Sequence, residues 1–166
     1  AVASAGKPLA RYQKIHPFLK TLEGAHYQAG AAVQTFAWAG ATVLPAICYD
    51  LRFPELFRAG MARGAEIFVI IANWPSPRIE PWIALLRARA IENQAYVLGV
   101  NRCGSDPSHA YPGRSLIVDY RGEVLADGGA HEGVIQAPVD LAALREYRRE
   151  LPFLADVQCA VGKLFG

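Results

Sequence analysis

The chain is poor in the features that mark several large classes of protein. It has three cysteines in 166 residues, Cys48, Cys103 and Cys159, too widely spaced for a small disulfide scaffold and without the C-x-x-C pair of a zinc or redox site. That usage fits a reducing, cytoplasmic setting. Charge of one sign is equally scarce. Lysine and arginine number 17 against 15 acids, a formal +2, and nowhere do five like charges run together. An electrostatic grip on nucleic acid or on a membrane surface is therefore not expected. The longest strongly apolar runs, Val43 to Cys48 and Ile67 to Ala72, fall far short of the roughly 20 residues that a bilayer span requires. His16, His26, His109 and His131 show no metal-ligand spacing, and G-x-G-x-x-G, Walker and G-x-S-x-G motifs are all missing, so neither metal nor cofactor is expected. The first ten residues hold no methionine, no basic stretch and no apolar stretch, as though the chain were cut from something longer.

What the chain does have is apolar residues, 52% of the total with 10% aromatic and 19% charged. At roughly 150 residues per domain this is about one domain, spanning 1–166. A chain of this size hides roughly 70% of its unfolded surface. Small-molecule chemistry or a protein partner is the expected business of such a chain.

The hydrophobic pattern predicts alternating strands and helices. Thr42 to Cys48 reads as a strand, with Pro45 pointing to an edge or bulge. A helix over Asp50 to Arg58 follows, with Pro54 near its start and Gly60 as its stop. The unit repeats as a strand Glu66 to Ala72, a Pro-rich loop Asn73 to Pro81 and an amphipathic helix from about Trp82 to Gln94 that carries Arg87, Arg89 and Glu92 away from its apolar side. After a strand Ala95 to Asn101 comes a Gly/Ser/Asp/Pro loop. Ser115 to Asp119 and Glu123 to Ala126 form a hairpin about Tyr120-Arg121-Gly122. Val134 to Val139 reads as a further strand, and Asp140 as the N-cap of a helix Leu141 to Glu150 ended by Pro152. This order defines an α/β layered fold with a mixed sheet.

Cys48 occupies the position that carries chemistry, at the carboxyl end of a buried strand and just before a helix. Unpaired N–H groups and a partial positive charge there favour thiolate over thiol and can hold an oxyanion. A buried cysteine packing as a small hydrophobe is the alternative.

The stretches Arg11-Tyr12-Gln13-Lys14-Ile15-His16-Pro17-Phe18, Pro45-Ala46-Ile47-Cys48-Tyr49-Asp50-Leu51-Arg52-Phe53-Pro54-Glu55-Leu56 and Asn73-Trp74-Pro75-Ser76-Pro77-Arg78 resemble, in order and spacing, the nitrilase superfamily of carbon–nitrogen hydrolases. The similarity continues through 87–94, 99–102 and 113–122 and is closest to the ω-amidase-like branch, whose members cut terminal amides of 2-oxo acids. The resemblance implies a four-layer α-β-β-α sandwich with mixed sheets and a Glu-Lys-Cys triad. It implies Cys48 as nucleophile and Lys14 as oxyanion stabiliser; a lysine there also lowers the thiol pKa. By the same resemblance Glu23 is an additional carboxylate beside them, and the Tyr49 N–H joins the oxyanion hole. Asn73 and Trp74 line the pocket rim, Arg52 and Arg78 are candidate partners of a substrate carboxylate, and the assembly is a homodimer or larger. A small amide is the expected substrate.

Each residue has a plainer reading: Lys14 as a solvated strand-end lysine, Glu23 as a loop acid, Trp74 as core, Arg52 as the ion-pair partner of Glu55 or Glu92. The principal departure from the family is an absence. Its proton-relaying glutamate precedes the lysine by a long way, whereas none of the thirteen residues before Lys14 is acidic. The chain thus resembles the carboxyl-terminal three-fifths of a family domain, with the amino-terminal part expected from elsewhere. Three alternatives stay open: a Cys-His hydrolase with His16 or His26 as base, a nitrilase or other amidase of the same superfamily, and a catalytically silent truncated member kept for assembly or binding.

Overall fold

The computed structural model describes residues 2–4, 6–19 and 23–157. Cys159 lies outside them. Strands β1 (Val2–Ser4) and β2 (Lys7–Ala10) form an antiparallel pair, and a single helical turn, α1 (Glu23–His26), follows. The main sheet has six strands. β3 (Phe36–Trp38) pairs antiparallel with β4 (Ala41–Ile47), and β4, β5 (Ile67–Ala72) and β6 (Tyr96–Asn101) run parallel at its centre. β9 (Leu116–Val118) and β10 (Val124–Asp127) complete the other edge as the expected hairpin. Helix α2 (Pro54–Met61) connects β4 to β5 and helix α3 (Ile79–Asn93) connects β5 to β6, so each parallel strand returns through a crossover helix.

Strand alternation divides the core. Leu44, Ala46, Phe68, Ile70, Val97 and Leu116 face α2 and α3, where Leu56, Phe57, Trp82 and Leu86 cover them. The other face carries Val43, Ile67 and Tyr96, which pack against Tyr120 and against Leu144 of helix α4 (Leu141–Glu150). Asp140 caps α4 as expected, its carboxylate accepting the Ala143 N–H at 2.9 Å. Toward the carboxyl ends this second face is bare: Ile71 and Val100, register partners on β5 and β6, are 52% and 51% exposed.

Several sequence expectations change. Pro45 lies in an interior strand, but β3 reaches only as far as Val43, so beyond that point one flank of β4 has no antiparallel partner among the described residues. Gly60 does not stop α2; it lies inside it, buried against β4, where an added Cβ would stand 1.9 Å from Leu44 Cδ1. Because Leu44 is fully buried it has nowhere to move. Gly60→Ala is accordingly expected to cost about 1–3 kcal/mol, read as a lowered urea midpoint at unchanged slope. Helix α3 begins three residues before Trp82, since Pro81 is tolerated in a first turn that needs no intrahelical N–H. Its Arg89 turns inward and is buried rather than solvated. The Gly/Ser/Asp/Pro loop contains a small hairpin, β7 (Cys103–Ser105) and β8 (Ala110–Pro112). The strand expected over Val134 to Val139 does not form. That segment lines a groove together with residues of β3, β4, β5, β6 and β9, and among the described residues it pairs with no strand.

Candidate active site

The carboxyl ends of β4, β5 and β6 bring Cys48, Asn73 and Asn101 to one edge of the sheet, where open α/β sheets bind ligands. Cys48 has φ of +47°, a left-handed conformation that a residue with a Cβ adopts at a cost of roughly 1–3 kcal/mol. It opens a 3-10 turn, Cys48–Arg52, ahead of α2. The turn is held by Asp50, which is fully buried. Asp50 Oδ2 accepts the Ile47 N–H at 3.0 Å and the Tyr12 hydroxyl at 2.7 Å, and Oδ1 accepts the His16 N–H and meets His16 Nδ1, both at 2.9 Å. Burial first, and Asp50 second, push the Tyr12 hydroxyl far above the usual tyrosine range, so it remains a donor. On the other side Arg89 donates to the Leu51 carbonyl at 2.9 and 3.2 Å.

Because Asp50 binds both the turn and the 12–16 segment, it fixes Lys14 relative to Cys48. Lys14 Nζ donates to both oxygens of Glu23, at 2.7 and 2.8 Å, and Glu23 also accepts the Phe18 N–H at 2.8 Å. Lys14 is thus neither strand-end nor solvated, and Glu23 is not a loose loop acid. Burial raises the Glu23 carboxyl, but the Lys14 hydrogen bonds, the Phe18 N–H and the Lys14 charge together bring it below the ordinary value, keeping it ionised at neutral pH. Lys14, Glu23, Cys48, Asn73 and Arg78 line one cavity of about 660 Å³. A contiguous pocket of about 340 Å³ adds Tyr49, Arg52 and Trp74 to Cys48 and Asn73. A larger groove of about 750 Å³, lined by residues of β3, β4, β5, β6 and β9 and by 135–139, has no ionisable side chain in its lining.

The Cys48 thiol differs from expectation. Burial pushes its pKa up, and this outweighs the lowering by the Lys14 charge and by the backbone N–H groups of Asn73 and Tyr49 aimed at the sulfur; Glu23 adds a smaller upward push. The thiol form predominates at neutral pH, so attack needs a base to take its proton.

The other candidates divide. Trp74 is both core and pocket wall: its N–H donates to Asn101 Oδ1 at 2.7 Å, its indole N–H to the Arg78 carbonyl, and its ring packs on Trp82. Arg52 pairs with neither Glu55 nor Glu92; its guanidinium lies 5.1 Å from the Trp74 ring centroid, and Glu92 is held by Arg89. Arg78 lies over Phe18 and has no carboxylate partner among the described residues. His16 is stacked on Phe53 at 3.7 Å and bound to Asp50, and neither it nor His26 lines the cavity. Among the described residues no group of three or more His, Cys, Asp and Glu is gathered as a metal site would require, and no helix is long and apolar enough to cross a membrane. Sequence reasoning missed the structural work of Asp50 and Asn101. Asn101 Nδ2 binds the Trp74 and Gly113 carbonyls at 3.0 and 2.7 Å, tying the loop after β5 to the end of β8. It also missed His109, which the β7–β8 hairpin brings into the Cys48 cavity.

A partly buried thiol on a left-handed turn, in one cavity with a lysine locked to a carboxylate, brings together groups that acyl-transfer chemistry uses. The chain belongs to the carbon-nitrogen hydrolase family, whose family model matches residues 1–149. It is 40% identical over 153 residues to a 2-oxoglutaramate amidase of Bacillus subtilis, an alignment covering 92% of this chain and 59% of that protein. It is 46% identical over 147 residues to the omega-amidase YafV of Escherichia coli K12, covering 87% and 57%. A crystal structure of XC1258 from Xanthomonas campestris, described as a CN-hydrolase superfamily protein with an arsenic adduct in the active site, superposes with a TM-score of 0.84 at 37% identity, covering 90% of this chain and 59% of that one. The chain therefore spans about three-fifths of the length of the relatives it matches.

Proposed function

We propose that this chain carries the nucleophile half of a thiol amidohydrolase acting on small amides that bear a carboxylate. One observation carries the reading: Cys48, Lys14 and Glu23 share a single cavity with backbone N–H groups aimed at the sulfur. In the proposed reaction the Cys48 proton passes to a carboxylate, and Sγ attacks the amide carbon. Lys14 and the Tyr49 N–H receive the oxyanion. Collapse breaks the C–N bond, the nitrogen taking that proton as ammonia leaves, and water then cleaves the thioester to acid and free thiol. Glu23 is the carboxylate lining the cavity among the described residues and shares in the proton transfers. Arg78 and Arg52 offer guanidinium to the far end of the substrate, with Asn73 and Trp74 as walls. The relatives named 2-oxoglutaramate amidase and omega-amidase support this substrate class. A homodimer or larger assembly in a cytoplasmic setting accompanies the reading.

The test is a substrate panel of 2-oxoglutaramate, an uncharged aliphatic amide and a nitrile, with Cys48→Ala as control. Hydrolysis favouring 2-oxoglutaramate and lost in the control is expected. Preference for either uncharged compound overturns the carboxylate assignment, and a chain inert to all three yet with an unreactive thiol favours a silent member of the family.

A further inference from the structure

The cavity around Cys48 has a wall that the proposed chemistry does not use. The β7–β8 hairpin contributes His109 and Tyr111 to it. One carboxylate fixes the turn of that hairpin: Asp106 Oδ1 accepts the N–H groups of Ser108 and His109, both at 2.9 Å, while Oδ2 accepts the Tyr111 hydroxyl at 2.7 Å and Arg102 at 3.2 Å. Arg102 also lies over the Tyr111 ring, 4.4 Å from its centroid. The Tyr111 hydrogen bond and the two backbone donors hold the Asp106 carboxyl down to about 2, so the brace stays charged across the working pH range.

The brace holds His109 by its backbone; the ring is tilted against Tyr111, with centroids 6.2 Å apart, and among the described residues its nitrogens make no hydrogen bond. Its Nδ1 stands 4.0 Å from the nearest carboxylate oxygen, beyond hydrogen-bond distance, and the side chain is half exposed. Glu23, the acid of the same cavity, is taken on both oxygens by Lys14. Arg78 is likewise without a carboxylate partner among the described residues. Among the described residues neither of these two donor side chains makes a hydrogen bond to a protein acceptor, and both line the nucleophile's cavity, an arrangement that an anionic ligand group completes.

We infer that His109, presented by the Asp106-braced turn, is a specificity-determining residue that receives, together with Arg78, the free carboxylate of the amide substrate. The inference rests on the reading of Cys48 as nucleophile. A protection measurement whose readout is not turnover separates the two. Carbamidomethylation of Cys48 by iodoacetamide is followed by peptide mass, so that Cys103 and Cys159 do not contribute, in the presence of glutaramate or of pentanamide, which lacks the carboxylate. Glutaramate is expected to protect Cys48 at lower concentration than pentanamide. That advantage should shrink roughly threefold in His109→Leu, the scale of one partly exposed charged contact, and persist in His109→Arg, with pentanamide unaffected in both. An unchanged advantage in His109→Leu overturns the assignment of His109 and leaves the nucleophile reading standing. Equal protection by the two amides overturns the carboxylate site altogether. A Cys48 that iodoacetamide does not modify overturns the nucleophile reading and this inference with it.

Discussion

Replacing Lys14 by methionine is expected to slow acylation of Cys48 by an amide about 10²- to 10³-fold, the loss that follows removal of one oxyanion donor. Methionine keeps most of the length and apolar bulk of the lysine stem, so the loss isolates the charge. The same change moves the thiol. Lys14 is the strongest of the influences that draw the Cys48 pKa down, and Glu23, which draws it up, would lose the cation that neutralises it. Both consequences have the same sign, so the alkylation rate of Cys48 should reach its plateau at a higher pH than in the parent chain. Acyl-enzyme by intact mass and the pH profile of iodoacetamide labelling are the two readouts. Unchanged acylation in Lys14→Met, with loss in a histidine variant instead, would return the site to a Cys-His mechanism.

Why Cys48, Lys14 and Glu23 could be proposed from the sequence while Asp50 could not is a matter of where the information sits. A cysteine at a strand end is a local feature, Lys14 and Glu23 came from the resemblance to the nitrilase superfamily, and the repeat of strand and helix from 42 to 101 is written in apolar periodicity. The mixed sheet followed from that pattern. The partners of Asp50 are the exception: Tyr12 and His16 lie 38 and 34 residues away, and no pattern of period two or 3.6 encodes a contact of that kind. The same holds for Asn101, whose three bonds reach 27 and 12 residues. The strand expected over Val134 to Val139 failed for the converse reason. Its local pattern was right for a strand, but an apolar run becomes one only where a neighbour offers a ladder, and among the described residues this run pairs with none. The thiol pKa was misjudged because nearness of Lys14 shows in sequence and depth of burial does not.

Asp50→Ala is the substitution expected to cost most stability, about 3–5 kcal/mol by urea denaturation, since it removes a buried acceptor and strands its donors. The Tyr12 hydroxyl and the Ile47 and His16 N–H groups would be left without it at once. Asp50→Asn keeps the shape and one acceptor oxygen and should lose less. Labelling of Cys48 should change together with stability in both variants, because the same carboxylate holds the turn and the Lys14 segment. A loss below about 1 kcal/mol for the alanine variant would mean that water replaces the carboxylate without penalty.

The left-handed backbone at Cys48 sets two kinds of selection against each other. Judged by heat resistance alone, position 48 favours glycine, the one residue for which that conformation carries no side-chain penalty. Judged by reactivity, it needs a sulfur. A library of this chain sorted for thermal survival should therefore drift toward glycine at 48 and lose the proposed nucleophile while the sheet endures, and one sorted for labelling should keep cysteine there and gather compensating substitutions elsewhere. The site is held by its use, not by its fold.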